Sequence, residues 1–221
     1  MDTNIHGIVL IRHARSTANV DPAVYRTTPD HTIPLHAPDD DADALAAGEA
    51  VRDLDLDPEL VCAWTSTYLR CQQTLDIVLE RAFGAGAARI RRRESFLLRE
   101  QEFGAWDGLT DDECRAHHPA KYGQRRQLAD SLGKFYFRYP EGESRADVAQ
   151  RMAIFIGKLH RSRYKHHIVA LHGVTQRAFR MAWHNHSVAW FEQEPNPPNA
   201  SVLLVRRDPA SQRWVDTYLT S

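Results

Sequence analysis

The sequence contains little cysteine and no long apolar segment. Its 221 residues include three cysteines, Cys62, Cys71 and Cys114, whose spacing matches neither a metal-binding motif nor a disulfide framework. We therefore expect reduced thiols, as in a cytoplasmic protein. The longest strongly apolar runs, at residues 8–11 and 168–171, are far shorter than a membrane-spanning helix. Because the first residues also lack the basic and apolar regions of a signal peptide, the sequence predicts a cytoplasmic location.

The sequence also lacks an excess of either charge. Its 28 basic and 29 acidic side chains give a formal net charge of −1, which disfavours a protein that binds nucleic acid or an anionic membrane. Internal repeats, low-complexity tracts and long flexible linkers are absent as well. We therefore predict a single domain over residues 1–221.

Histidine, by contrast, is abundant, with twelve residues. No set of them has the spacing of a structural or catalytic metal site. His184 and His186 are separated by one residue, and on a helix their rings are expected to point apart. The sequence therefore predicts no metal ion.

Apolar stretches alternate along the chain between strand-like and helix-like patterns. Ser144 and Asp147 form a capping box at the start of a clear helix over residues 144–160. The arginines of residues 89–93 flank Ile90, which is typical of a strand with one solvated basic face. Further strands are predicted at residues 7–11, 60–65, 168–171, 201–206 and 214–219, and further helices at residues 41–54, at 67–82 and after Gly173.

This alternation predicts a three-layer α/β/α sandwich around a mostly parallel central sheet. Residues 95–143 break the alternation, since they are aromatic and punctuated by glycine. We interpret them as a cap inserted over one end of the sheet. The walls of any pocket there are expected from residues 20–35 and 99–140.

Three of the predicted buried strands end on polar side chains. The first ends on Arg12 and His13, the second is followed by Arg70, and the third ends on His172 and Gly173. Because ligands bind at the carboxyl ends of the strands in open α/β sheets, these groups are expected to meet at one anion site. Each of them alone has an ordinary structural interpretation, so the prediction rests on their joint occurrence.

Such a cluster has the chemistry of phosphoryl transfer. Arginine forks bind phosphoryl oxygens and stay charged. Neighbouring guanidinium groups disfavour the protonated form of histidine, and a neutral imidazole is a competent nucleophile. The strand ends supply no proton donor for the leaving oxygen.

Five segments in this order resemble the motifs of the histidine phosphatase superfamily, the phosphoglycerate mutase-like proteins. They are LIRHARSTAN at 10–19, STYLRCQQT at 66–74, LREQEFGAWDG at 98–108, YPEGES at 139–144 and ALHG at 170–173. Residues 19–31 and 135–139 are most similar to the plant and fungal phosphoglycerate mutase-like proteins. The resemblance covers nearly the whole chain and implies a phosphoglycerate mutase-like fold.

The resemblance implies a role for each matching residue. His13 is the nucleophile that becomes phosphohistidine, and Glu100 is the acid that protonates the leaving oxygen and later activates water. Glu102, two residues further on, is the less favoured candidate for the acid. The residues implied in binding the phosphoryl group are Arg12, Arg70 and His172, with Ser16, Asn19 and Gly173 around them.

The sequence departs from the family pattern at several positions. Ala14 stands where glycine is usual and costs about 1 kcal/mol if its φ is positive. Arg15 stands where an acid or amide is common and either adds a cation at the pocket rim or points to solvent. Phe103 replaces a tyrosine that mutases have.

The most important departure concerns the phosphorylated cofactor of mutases. The sequence shows no clear counterpart of the basic cluster that holds a bisphosphorylated cofactor, and Arg125 and Arg126 are no more than candidates for it. We therefore favour a metal-independent phosphomonoesterase that acts on a small-molecule phosphate ester without a cofactor. The alternatives are mutase-type phosphoryl transfer and a non-catalytic scaffold or transport-associated protein on the same fold.

Overall fold

The computed structural model describes residues 4–37, 41–131 and 133–220. Its central sheet has six strands in the order β3-β2-β4-β1-β5-β6. The strands are β1 (Gly7–Arg12), β2 (Val61–Thr65), β3 (Arg91–Glu94), β4 (His166–Leu171), β5 (Val202–Arg207) and β6 (Trp214–Tyr218).

The first four strands run parallel, and β5 and β6 run antiparallel at one edge. In this register Arg12 lies opposite Leu171 of β4, and Thr65 of β2 lies opposite Ala170. The carboxyl ends of β1, β2 and β4 therefore meet at one edge of the sheet. This arrangement confirms the mostly parallel sheet predicted from the sequence.

Eight α-helices accompany the sheet in the part of the chain that the structure describes. They are α1 (Thr17–Val20), α2 (Ala42–Arg52), α3 (Leu69–Phe83), α4 (Asp111–His117), α5 (Pro119–Ser131), α6 (Arg145–His160), α7 (Gly173–His184) and α8 (Val188–Gln193). None of these helices is long and apolar enough to cross a membrane.

The two faces of the sheet carry separate hydrophobic clusters, which makes the three layers. Because side chains alternate along a strand, Ile8 and Leu10 of β1 pack towards α6, α7 and α8, while Val9 and Ile11 pack towards α2 and α3. As predicted, α6 begins with a capping box, in which the Asp147 amide donates to the Ser144 hydroxyl and the Ser144 amide donates to the Asp147 carboxylate.

The segment between β3 and α6 contains α4, α5 and several short 3-10 turns. Its own small cluster centres on Trp106, Cys114 and Phe137. Gly104 and Gly142 bring two loops of this segment into close backbone contact, since a Cβ at Gly104 would lie 2.1 Å from the carbonyl oxygen of Pro140. The predicted cap is thus a partly helical segment with its own core.

Two local predictions were wrong. Strand β3 covers Arg91–Glu94, and all four of its residues are exposed rather than only one face, because β3 lies at the edge of the sheet and pairs with β2 alone. The rings of His184 and His186 lie 5.2 Å apart, because Asn185 takes a left-handed conformation that ends α7 between them. No group of three potential metal ligands occurs within the described ranges.

Candidate active site

A cavity of about 640 Å³ opens at the carboxyl end of β1. Its base includes Arg12 and His13 from the end of β1, Arg70 from the first turn of α3, and Glu100 from the loop after β3. Asn19 lines it as well. Five residues expected from the sequence therefore lie around one space.

A larger groove of about 960 Å³ lies between β3 and the end of α6. Its lining is basic and includes Arg91, Arg93 and Lys158, but none of the residues that line it is a histidine. The smaller cavity is the candidate active site, because there His13 and two arginines meet a carboxylate.

His13 is held in one tautomer by the backbone. Its main-chain amide donates to the Leu171 carbonyl (2.9 Å), and its Nδ1 lies 2.8 Å from the Ala14 carbonyl oxygen. Because a carbonyl oxygen only accepts, Nδ1 carries the hydrogen and Nε2 of the neutral ring keeps its lone pair. Burial, followed by the positive charges of Arg70 and Arg12, lowers the pKa of His13 well below its usual range. The imidazole is therefore neutral at pH 7.

His172 ends β4 and lies beside His13. The two ring centroids are 5.1 Å apart, and His172 Nε2 lies 3.0 Å from the Ser66 hydroxyl oxygen. Burial, followed by the charge of Arg70, lowers the pKa of His172 well below its usual range. The side chain is completely buried, and it is not among the residues that line the cavity, so it supports the site from behind Arg70.

Arg70 is 2% exposed and nearly all its donors are used. Nη1 donates to the main-chain oxygen and to Oδ1 of Asp30, both at 2.7 Å, and Nη2 donates to Oδ2 at 3.3 Å. Nη2 also lies 3.4 Å from Nδ1 of His172. Only Nε is buried without a hydrogen-bond partner among the residues that the structure describes.

Arg12 presents a similar free donor. Its Nη1 donates to the Pro197 carbonyl, whereas its Nε is buried and has no partner within the described ranges. A buried donor without a partner costs about 1–3 kcal/mol. With the guanidinium groups of Arg12 and Arg70 beside it, the base of the cavity has the chemistry to attract an anion.

Glu100 is fixed by the start of α7. Its Oε1 accepts from the Gln101 amide (3.0 Å) and lies 3.2 Å from the Thr175 hydroxyl, and its Oε2 accepts from the Val174 amide (3.3 Å). Glu102, in contrast, accepts from the Tyr68 hydroxyl at 3.0 Å and does not line the cavity. The structure thus places Glu100, the acid favoured from the sequence, in the cavity.

Ser16 and Gly173, which were also expected near the phosphoryl group, do not line the cavity. The Ser16 hydroxyl and the Asn19 side chain form the capping box of α1. Gly173 begins α7, where an added Cβ would lie 3.1 Å from Cγ of Asn196. Asn19 itself accepts from Nδ2 of Asn199, which also donates to the His13 carbonyl (3.0 Å).

Two segments, residues 22–30 and 103–110, form the side of the cavity above its base. We call these two segments the cavity wall. These lie within the ranges predicted for the pocket walls. The wall includes aromatic and apolar side chains but also two acids, Asp30 and Asp107, that the sequence analysis did not single out. Asp30 lies within the segment that resembles plant and fungal proteins, and this position was the only sequence signal for it.

The departures from the family pattern have local explanations. Ala14 is not among the residues with positive φ, so alanine carries no backbone strain there. Arg15 is exposed and lines a separate shallow pocket with residues 196–200. Arg125 pairs with Asp111, and with Arg126 it lines another small pocket rather than the cavity.

Comparison with known proteins agrees with these motifs. The family model of the histidine phosphatase superfamily (branch 1) matches residues 8–220. The phosphoglycerate mutase-like protein AT74 of Arabidopsis thaliana is 34% identical over 90% of this chain, and the match spans 64% of the length of that relative. The broad-range acid phosphatase DET1 of Saccharomyces cerevisiae is 32% identical over 53% of this chain and 35% of its own length.

Solved structures show the same fold. A mycobacterial glucosyl-3-phosphoglycerate phosphatase superposes with a TM-score of 0.70 over 98% of both chains, at 22% identity. YhfR of Bacillus stearothermophilus superposes with a TM-score of 0.71 over 96% of this chain and 95% of its own, at 22% identity. By the match of its sequence from residue 8 to residue 220, the chain belongs to the histidine phosphatase superfamily, branch 1.

Proposed function

We propose that the protein is a metal-independent phosphomonoesterase that acts on a small phosphorylated metabolite through a phosphohistidine intermediate. The observation that carries this proposal is the state of His13, which is neutral and keeps its Nε2 lone pair while its Nδ1 hydrogen bonds to Ala14. Membership of a phosphatase superfamily and the phosphatases among its relatives support a phosphatase-type enzyme.

In the first step, Nε2 of His13 attacks the phosphorus atom. The new N–P bond forms as the bond between phosphorus and the ester oxygen breaks, and the electron pair of that bond goes to the leaving oxygen. Glu100, in its protonated form, gives its proton to this oxygen, so that a neutral alcohol departs. The carboxyl group needs no large movement, since the start of α7 already holds it at the cavity.

In the second step, a water molecule attacks the phosphorus atom of phosphohistidine. Glu100, now a carboxylate, takes a proton from the water, the N–P bond breaks, and His13 recovers its lone pair. Inorganic phosphate is released, and the enzyme returns to its starting state. One ester bond and one water molecule are consumed in each turnover.

The cations beside His13 stabilise the charge of the transferred group. A phosphate monoester carries close to two negative charges at neutral pH. Arg12 and Arg70 bring their guanidinium groups, with their N–H donors, to the base of the cavity where its oxygens would bind. Such preorganised donors supply most of the catalysis in phosphoryl transfer.

The surroundings of Arg125 and Arg126 favour hydrolysis over mutase-type transfer. A mutase that uses a bisphosphorylated cofactor needs cations at both ends of its cavity. Arg125 and Arg126 line a separate small pocket, and Arg125 is engaged by Asp111. Of the described residues in the cavity wall, Arg26 alone is a cation, so no cationic cluster is present there for a second phosphate.

The proposal is tested with 4-nitrophenyl phosphate in excess EDTA. We expect hydrolysis to persist, and we expect the His13→Ala variant to lose activity by at least about a thousandfold. Brief incubation with substrate should leave a phosphoenzyme that is stable in alkali and labile in acid, as a phosphohistidine is.

His36→Ala is the matched control, because His36 is exposed and does not line the cavity. It should retain full activity and form the same phosphoenzyme. Retention of activity by His13→Ala, or complete loss of activity of the unchanged protein in EDTA, would contradict the proposal.

A further inference from the structure

The charges around the cavity point to a class of substrate. We propose that the enzyme prefers phosphomonoesters whose alcohol portion carries no second negative charge, and that Asp107 of the cavity wall is a specificity-determining residue. This inference rests on the phosphatase function proposed above.

The positive charge of Arg70 is compensated by Asp30. Both terminal nitrogens of Arg70 bind the Asp30 carboxylate, and the two side chains are 2% and 19% exposed. A carboxylate at this distance compensates the charge of the guanidinium group. Arg70 therefore has no excess positive charge to offer to a second anion.

Arg26, the one arginine of the cavity wall, is compensated in the same way. Its Nη1 and Nη2 donate to Oε1 and Oε2 of Glu113 at 3.1 and 2.7 Å. This bidentate contact matches the planar geometry of both groups. It occupies the edge of the guanidinium group that best binds a carboxylate or phosphate. Arg26 is thus engaged by an acid of the chain itself.

Arg12 is the only arginine lining the cavity that has no acidic partner within the described ranges. It lies at the base next to His13, where the transferred phosphoryl group binds. The charge of that group, close to two units, exceeds what Arg12 alone compensates. No cation of the described lining then remains for another anionic group of the substrate.

Asp107 adds a negative charge to the cavity wall. It lines the cavity, and it makes no ion pair with any residue that the structure describes. Partial burial, followed by the charges of Asp30 and Glu102, raises the pKa of Asp107, which reflects the acidic character of the wall. Its neighbours Phe103, Trp106 and Leu109 carry no charge. An alcohol portion therefore meets aromatic and apolar surface and one uncompensated carboxylate.

Two substrates with the same carbon skeleton test this inference. Glycerol 3-phosphate and 3-phosphoglycerate differ in one group, which is a neutral hydroxymethyl in the first and a carboxylate in the second. We expect kcat/KM of the unchanged enzyme to be at least about tenfold higher for glycerol 3-phosphate, since like charges at close range repel. The Asp107→Asn variant should lower this ratio by about threefold or more, because its kcat/KM for 3-phosphoglycerate should rise.

A second variant changes the charge balance of the wall through Glu113, which lies in α4. Glu113→Gln removes the charge that compensates Arg26, while glutamine still completes the capping box at the start of α4. It should also raise kcat/KM for 3-phosphoglycerate relative to glycerol 3-phosphate. Asp112→Asn is the matched control, because Asp112 is exposed, pairs with Arg115 and does not line the cavity. It should leave the ratio unchanged.

The outcomes separate this inference from the proposed function. If neither substrate and no aryl phosphate is hydrolysed, the proposed function fails. If both substrates are hydrolysed at similar kcat/KM, or if the ratio changes in neither Asp107→Asn nor Glu113→Gln, the charge selection is wrong while the phosphatase function stands. A gain on 3-phosphoglycerate in either variant, without a gain in Asp112→Asn, supports the inference.

Discussion

Glu100 and Glu102 lie two residues apart and have different surroundings. Glu100 lines the cavity and is held by the start of α7, whereas Glu102 accepts from the Tyr68 hydroxyl outside it. The spacing to Gly104 and Trp106 in the sequence already favoured Glu100 over Glu102. The structure distinguishes them because the chain between them directs the two carboxylates to different neighbours.

This difference gives a prediction about the leaving group. Replacing Glu100 with glutamine removes the proton donor, so kcat for an alkyl phosphate should fall by about 10²–10⁴-fold. For 4-nitrophenyl phosphate the loss in forming the phosphoenzyme should be much smaller, since nitrophenolate leaves without protonation. Rapid-quench measurement of the phosphoenzyme with both substrates checks this.

Glu102→Gln is the control for this experiment. It makes the same chemical change two residues away and should reduce phosphoenzyme formation from both substrates little and equally. Equal losses for alkyl and aryl phosphates in Glu100→Gln would contradict its role as the acid.

At the scale of elements, the cavity wall depends on one close backbone contact. Gly104 has a φ of +57°, and its Cα faces the carbonyl of Pro140 so closely that no side chain fits. This contact joins the loop that carries Phe103 and Trp106 to the loop before α6. The position of the wall therefore depends on this glycine as well as on the small cluster around Trp106.

Gly104→Ala should lower the free energy of unfolding by at least about 2 kcal/mol, because it adds a clash to an unfavourable φ. It should also raise KM for any substrate, since Phe103 and Trp106 would shift. Urea unfolding and steady-state kinetics measure the two effects.

Gly123→Ala is the opposite case within the same segment. Gly123 lies in the interior of α5 with nothing within 4 Å of an added Cβ. Alanine there should stabilise the protein by about 0.5–1 kcal/mol. A similar loss of stability in both variants would show that the contact at Gly104 is not the cause.

For the molecule as a whole, buried histidines link stability to pH. Burial lowers the pKa of His167 to about 4, with smaller contributions from His166 and His160. His13 and His172 are shifted in the same direction, mainly by burial. Between the pKa of the folded state and that of the unfolded state, near 6.5, the unfolded chain binds more protons. The contribution of these histidines to the free energy of unfolding is therefore complete above pH 6.5 and decreases as the pH falls below it.

We expect the free energy of unfolding to decrease below pH 6.5, with His167 alone contributing about 1.4 kcal/mol per pH unit down to about pH 4. Urea unfolding at a series of pH values measures this slope. His167→Gln should reduce the slope by that amount, because glutamine does not titrate and can still accept from Nε1 of Trp64, as His167 does at 3.2 Å. An unchanged slope in the variant would contradict the assignment.

The sequence was most informative where function and backbone pattern coincide. Arg12, His13 and His172 directly follow apolar strands, so parallel pairing alone predicts that they meet. Asp30 and Asp107 could not be found in this way, since they lie in irregular loops whose path depends on tertiary contacts such as that of Asp30 with Arg70. Strand β3 was mispredicted for a related reason, because one sequence does not reveal which strand lies at an edge.

The groups that handle phosphorus and the cavity wall come from separate stretches of chain. Arg12 and His13 lie at the end of β1, Arg70 lies in the first turn of α3, and Glu100 lies in the loop after β3. The cavity wall consists of residues 22–30 and 103–110. Substitutions in the wall, apart from those at Asp30, which binds Arg70, therefore leave the surroundings of His13 in place. We therefore expect that exchanging both loops between relatives would change the selectivity for the alcohol portion of the substrate.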